Sequence, residues 1–407
     1  MIGRLDRPDR ARWSALARLA MAMVLSMTTW FSASAVLPSL RTIWSLDSGL
    51  SALLTISVQL GFVAGALVSA VTNVSDRLPA RWVFIGSCLG AAVANGLVAL
   101  CSSGEAALPF RFLTGVFVAG IYPPALKIMA THFRTGRGLA LGTMVGALTV
   151  GSALPHLVNG AGGLPWQIVV LASSAMTVAG ALVVAVFVRD GPYPFPRGSF
   201  EPRFILRALA DPAVRLANIG YFGHMWELYA MWSWFAFFFA DSVSASGGGA
   251  ANAGPLGAFV VIASGAAGCV AGGILGDRWG RTRTTALALA VSGSCAALIG
   301  LTFGGPVAVV LLVGMVWGVA VVADSAQFST MVTELADQAY VGTALTVQLA
   351  IGFSLTVVTI WLIPVARDLV GWRWAFVLLT PGPAIGALAM LRLGRRPEAA
   401  RIAGGRG

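Results

Sequence analysis

Of the 407 residues, 57% are hydrophobic and only 11% are charged, with a mean hydropathy of +0.83. A soluble domain carries roughly a quarter charged residues, so a soluble enzyme is excluded and the solvent for most side chains must be lipid. The formal net charge of +11 could point to a nucleic acid, but the arginines sit in short gaps between apolar runs, so no nucleic-acid partner is expected.

The chain begins with Arg4, Arg7, Arg10, Arg12 and Arg18 ahead of an apolar run, which imitates a signal peptide, and Ala33-Ser34-Ala35 offers a small-residue cleavage site. The run is longer than a leader's apolar core and eleven more follow it, so it reads as a first membrane helix. Crossing about 30 Å of hydrocarbon takes about 20 mostly apolar residues. Twelve stretches qualify: 16–40, 50–72, 82–101, 107–131, 138–160, 165–188, 213–240, 253–276, 284–303, 306–332, 340–365 and 372–392. The one long gap, 189–212, is rich in proline and arginine and reads as a linker between a first unit, 1–188, and a second, 213–407. Cys88, Cys101, Cys269 and Cys295 all lie inside apolar runs with no metal-ligand spacing, so they read as small buried hydrophobes and no metal or cofactor is expected.

Arginine placement sets the expected orientation. With the N-terminus in the cytoplasm, the inside segments hold the basic tail, Arg77 and Arg81, Arg134 and Arg137, the linker cluster, Arg278, Arg281 and Arg283, and the basic C-terminus. The outside loops hold only Arg41, Arg367 and Arg373. Both ends are therefore expected inside, in a bacterial-type inner membrane.

The two halves repeat. Thr29-Trp30-Phe31 matches Ser233-Trp234-Phe235 at an offset of 204, Asp76-Arg77 matches Asp277-Arg278 at 201, and Gly138-Leu-Ala-Leu matches Gly342-Thr-Ala-Leu at 204. Pro155 pairs with Pro364, and Pro165-Trp166 with Arg373-Trp374. Apolar helices resemble one another, so one match means little; five in order with a slowly drifting offset indicate a duplicated six-helix unit.

The loop Gly273-Ile-Leu-Gly-Asp277-Arg278-Trp-Gly280-Arg281 resembles the G-x-x-x-D-R-x-G-R signature of the major facilitator superfamily, and the resemblance covers essentially the whole chain. Its counterpart around Asp76, Arg77 and Arg81 keeps the charges and loses both glycines. Arg111-Phe-Leu-Thr-Gly115-Val-Phe-Val-Ala119 is similar to the family's R-x-x-x-G-x-x-x-A stretch. The resemblance implies an all-α membrane fold of two pseudo-symmetric six-helix bundles, with spans 1, 4, 7 and 10 around a central cavity. It also implies a latch formed by Asp76, Arg77, Asp277, Arg278 and Arg281. The fifth span lacks the Gly-Pro pair of the superfamily's drug/proton antiporters, which leans against multidrug export.

Charges at mid-span cost about 2.5–3.5 kcal/mol each on insertion scales, so they default to functional candidates. His224 and Glu227 share a face of the seventh span at i,i+3 spacing, and Asp324 and Gln327 share one of the tenth. Arg111 and Lys127 lie on the fourth span with Tyr122 between them. Glu227 is the first-choice proton carrier, with His224 or Asp324 sharing the proton; Arg111 and Lys127 would supply positive charge. A fixed ion pair, or snorkelling for Lys127, is the competing reading. Trp30 and Trp234 read as packing or interface anchors, and His132 and His156 as structural.

The sequence therefore leads to a proton-coupled carrier, acting as a monomer in the lipid bilayer, for a small and anionic solute. Proton-driven efflux of an amphipathic compound is the alternative, suited by the aromatic-rich seventh span. A sensor would need an appended domain, and no nucleophile set or phosphate loop suggests an enzyme.

Overall fold

In the computed structural model, residues 7–133, 136–193, 200–249 and 252–407 are described, with side chains at 7–10, Ser75 and Asp76 excepted. The expected latch residue Asp76 therefore lies outside the described side chains. Ten helices among the described residues are long and apolar enough to cross a membrane. These are α2 (Ser48–Thr72), α3 (Ala80–Val98), α4 (Gly104–Ala130), α5 (Arg137–Gly160), α6 (Trp166–Phe187), α8 (Ala253–Trp279), α9 (Arg281–Thr302), α10 (Val307–Leu335), α11 (Val341–Val370) and α12 (Trp372–Gly394).

The other two expected spans are also helical. The seventh, α7 (Pro212–Ala245), is continuous, starting from the Asp211 cap, and its His, Glu, Tyr, Trp and Ser residues dilute its apolar character. The first, α1, runs as Arg7–Ser26, then shorter pieces Met27–Thr29, Ser32–Ala35 and Leu37–Ile43. Hydroxyls explain the break: Thr28 Oγ1 donates to Leu25 O (2.9 Å) and Ser32 Oγ to Thr29 O (3.1 Å), drawing backbone acceptors away from the helical ladder.

Two further helices are interrupted. In α4 the residues 119–121 form a turn ahead of Pro123 and Pro124, which disfavour helical geometry in the preceding residue and remove two donors. In α10 Asp324 separates Val307–Ala323 from Ser325–Leu335. Gly120 and Asp324 are 204 positions apart, the offset of the sequence repeat, so the two halves bend at equivalent places.

The halves meet along α5 against α8 and α2 against α11. Close approach on α5 depends on missing side chains: a Cβ on Gly142 would collide with the Cys269 carbonyl, and one on Gly138 with the Asp277 carboxylate. Within the second half, Gly268 and Gly272 likewise let α8 press on the carbonyls of Val319 and Ala323 in α10. The face carrying the start of α1 and the end of α12 is called the near face below, its opposite the far face. On the near face, residues 397–404 fold back over α10: Ala403 N donates to Glu334 (3.1 Å) and Arg401 to Leu335 O (3.1 Å).

Candidate functional site

The breaks in α4 and α10 place polar side chains at mid-membrane. Asp324, at the α10 turn, lies 2.9 Å (Oδ1) from His224 Nδ1 of α7, and Ser325 Oγ stands 3.0 Å from His224 Nε2. Both members of the pair are almost wholly buried, at 2% and 1% exposure. The approach is close but oblique, since Oδ1 accepts no aligned hydrogen bond; the attraction is more electrostatic than directional. Phe328 (5.6 Å) and Tyr221 (6.2 Å) pack on the imidazole and keep it dry.

Glu227, expected to share the proton with His224, points elsewhere. Its Oε1 accepts from Trp317 Nε1 of α10 (2.6 Å) and its Oε2 from Ser292 Oγ of α9 (2.8 Å), inside the second half and fully buried. Three residues along a helix is about 300° of rotation. That residual 60° sends His224 to the α10 break and Glu227 behind it.

Arg111 also departs from the expected crevice. It is fully buried within the first half and donates to Trp30 O (2.6 Å), Thr29 O (3.1 Å), Leu54 O (3.5 Å), Ser32 Oγ (3.3 Å) and Asn95 Oδ1 (3.0 Å). The break in α1 exposes carbonyls in hydrocarbon, and the planar guanidinium, with its five donors, satisfies them. Arg111 therefore staples α1 to α2, α3 and α4, with its donors spent on neutral acceptors.

Gln327 belongs to the near-face network rather than to the centre. It donates to Gly272 O (3.1 Å) and accepts from Arg281 (2.7 Å). Arg281, 5% exposed, also holds Glu334 (3.2 Å) and approaches Asp277 at 3.3 Å. Asp277 in turn abuts Gly138 in the first turn of α5, across the boundary between halves. Arg77 and Arg278 are exposed. Glu334, in the last turn of α10, belongs to no motif in the sequence; its one signal is an acidic residue just past the apolar stretch 306–332. Tyr122 opens the second segment of α4 and Lys127 sits in its last turn, both half-buried.

The feature that sequence reasoning did not find is an aromatic floor. Trp30 of α1, Phe62 of α2, Tyr229 of α7 and Phe353 of α11 meet at mid-membrane, two rings from each half. Trp30 stands 5.0 Å from Phe62, 5.5 Å from Tyr229 and 5.7 Å from Phe353. Phe353 completes the set at 4.3 Å from Phe62 and 5.2 Å from Tyr229. All four are at most 6% exposed. The rings are spread over four helices in the chain, so no local spacing announces them. Among the described residues no group of three His, Cys, Asp or Glu could hold a metal ion.

Comparison with known proteins adds three kinds of likeness. The family model described as Major Facilitator Superfamily matches residues 19–358. The multidrug efflux pump LfrA of Mycolicibacterium smegmatis is 32% identical over 156 residues, 38% of this chain and 30% of that protein, so the match spans under a third of the relative. The fold is shared with a bacterial homologue of the human lysosomal transporter Spinster in an inward-facing, unoccupied conformation. That likeness has a TM-score of 0.70 at 17% identity and covers 95% of this chain and 99% of that one. It is shared too with the proton:xylose symporter XylE bound to 6-bromo-6-deoxy-D-glucose (TM-score 0.71, 15% identity, 94% and 95% covered). The nucleoside transporter NupG, as its D323A mutant, gives 0.71 at 13% identity, covering 93% and 99%.

Proposed function

The chain belongs to the major facilitator superfamily, and from that premise we propose that it is a proton-driven exporter of aromatic or amphipathic compounds. The observation that carries the reading is the aromatic floor: two rings from each half close the boundary between them, so a solute passing through must part rings and can stack on them. The partial likeness to a multidrug efflux pump favours outward movement. The anionic-solute reading draws on the charges of Arg111 and Lys127, and two of the acceptors that hold Arg111 are α1 carbonyls, which weakens it.

The coupling proton belongs on the His224–Asp324 pair. A carboxylate facing an imidazole holds one proton between them or takes up a second, and each choice changes the pair's charge by one. Because Asp324 forms the α10 turn, a change in that charge acts directly on a helix joint. The arginine distribution supports a reading with both termini in the cytoplasm of a bacterial-type plasma membrane and the near face inward.

The experiment is transport by the purified full chain in liposomes under an imposed pH gradient, with ethidium and chloramphenicol as solutes. Accumulation that collapses when the gradient is dissipated, and that falls in Tyr229→Ala and Phe353→Ala, supports the proposal. Movement of neither compound, or movement indifferent to the gradient, refutes it.

A further inference from the structure

Five side chains of the far half of the bundle, from α1, α2, α5 and α7, are buried with polar atoms that meet no partner. They are Trp30 Nε1, both amide atoms of Gln59, Ser152 Oγ, both ring nitrogens of His156, and Trp232 Nε1. Their exposures run from 0% to 2%. Native interiors leave few such groups unpaired, and each costs about 1–3 kcal/mol when it stays so. Scattered through the protein they would mean little, so their placement decides.

Residues beside them on α2 and α5, and Trp232 itself on α7, contact the stretch 30–35 of α1, in which Trp30 lies. Gln59 lies on the α2 face between Thr55, whose Oγ1 is 2.9 Å from Ser34 Oγ, and Phe62, which packs on Trp30. One turn separates it from each. On α5, Ser152 and His156 are one turn apart, so they share a face. That face is bounded on one side by Asn159, which donates to Ala35 O of α1 (2.8 Å), and on the other by Thr149 and Gly160, which contact Cys269 and Leu256 of α8. Ser152 and His156 therefore point between α1 and α8. From α7, Trp232 stands 5.7 Å from Phe31. The set draws on both halves; Trp30 belongs to the aromatic floor itself, and the other four lie one turn or more farther along their helices on its far side, opposite His224 and Asp324.

The chemistry of the set is narrow. Two indoles donate only, a primary amide and a hydroxyl donate and accept, and an imidazole does both. None of the five is a carboxylate, ammonium or guanidinium; Arg111, which also touches α1, spends its donors on backbone and neutral side chains. We propose that these five side chains form an outer solute station that takes the uncharged hydrogen-bonding end of the solute, its hydroxyl or amide groups, while the ring of the solute rests on the aromatic floor. The inference builds on the proposed use of that floor as the solute path. It adds a substrate class: neutral aromatic compounds bearing hydroxyl or amide groups are preferred over permanent organic cations.

Single cysteines at Gln59, Ser152 and His156, in the full chain with Cys101→Ser, test this with a membrane-impermeant methanethiosulfonate reagent applied from the far face. Leu157→Cys, on the exposed flank of α5, is the control. Ser152→Cys is nearly isosteric, so it carries the test if the others fold poorly. The expected result is labelling at the three positions well above the control, slowed several-fold by millimolar chloramphenicol and much less by ethidium. Labelling no faster than the control overturns the station, because the positions are then sealed core. Labelling that chloramphenicol does not slow overturns the solute role and leaves a water-filled pocket. Equal slowing by ethidium overturns the substrate class. If protection by chloramphenicol persists while pH-driven transport fails, the proton-coupling proposal falls and the station stands.

Discussion

Arg111 offers the sharpest separation between holding the fold and handling the solute. Lysine at this position keeps the positive charge but presents three donors from a point instead of a five-donor fork, and it cannot reach acceptors on α1, α2 and α3 together. Of the five acceptors, Ser32 Oγ keeps its own contacts to Thr29 O and Asn95 Oδ1 and, with one hydrogen, can cover one of them. At least two acceptors lose their charged donor, at about 1.5–3 kcal/mol each, so Arg111→Lys is expected to cost about 3–6 kcal/mol. In a bundle of this size that lowers the melting temperature by on the order of 10 °C. Arg111→Leu orphans at least one acceptor more than Lys, at about 1.5–3 kcal/mol, but removes a buried charge whose insertion costs about 2.5–3.5 kcal/mol, so it is expected to melt close to Lys. Thermal melts of the purified proteins, followed by tryptophan fluorescence, check the order. If Lys melts and transports like the wild type while Leu folds normally but does not transport, the staple assignment is wrong and Arg111 acts through its charge.

Three other expectations follow from packing and charge. Gly272→Ala puts a Cβ against the Ala323 carbonyl and is expected to cost about 1–3 kcal/mol, read as a lower melting temperature; Gly249→Ala, in open space, leaves it unchanged. Glu334→Gln weakens the grip on both Arg281 and the folded-back tail, so trypsin cleavage after Arg401 accelerates several-fold. At the tail, the Arg396 guanidinium 3.0 Å away holds the Glu398 carboxyl below the usual glutamate range. A lowered folded value means the contribution is complete above the ordinary glutamate range and is lost as pH falls through the lowered one. Protection of the amides of residues 397–404, taken relative to the intrinsic exchange rate at each pH, is therefore expected to fall only on the acid side, a response that Glu398→Gln removes.

The twelve spans and their duplication were legible because hydrocarbon imposes a length and an apolar composition that water-soluble sequences do not keep. The interruptions of the spans were only half legible. Pro123 and Pro124 mark the α4 break, but the α10 break is carried by Asp324 alone, and α1 yields to hydroxyls that a hydropathy pattern counts as tolerable. Charge at mid-span was visible while its direction was not. Glu227, His224 and Arg111 all stood out, yet a 60° difference around α7 and the carbonyls of a broken neighbour decide what each one touches. His156, read from the sequence as structural, reaches the far-half polar set because α1 and α8 flank its face of α5. The aromatic floor depends on four distant helices converging, which only the packed fold supplies.

The most direct measurement of the coupling claim compares two assays on Asp324→Asn in liposomes. One is exchange of labelled for unlabelled solute with no pH gradient; the other is accumulation driven by a gradient. With the pair unable to take its second proton, exchange is expected to continue near the wild-type rate while gradient-driven accumulation disappears. Accumulation that survives in Asp324→Asn, and again in His224→Gln, would contradict the account and put the coupling proton elsewhere in the protein.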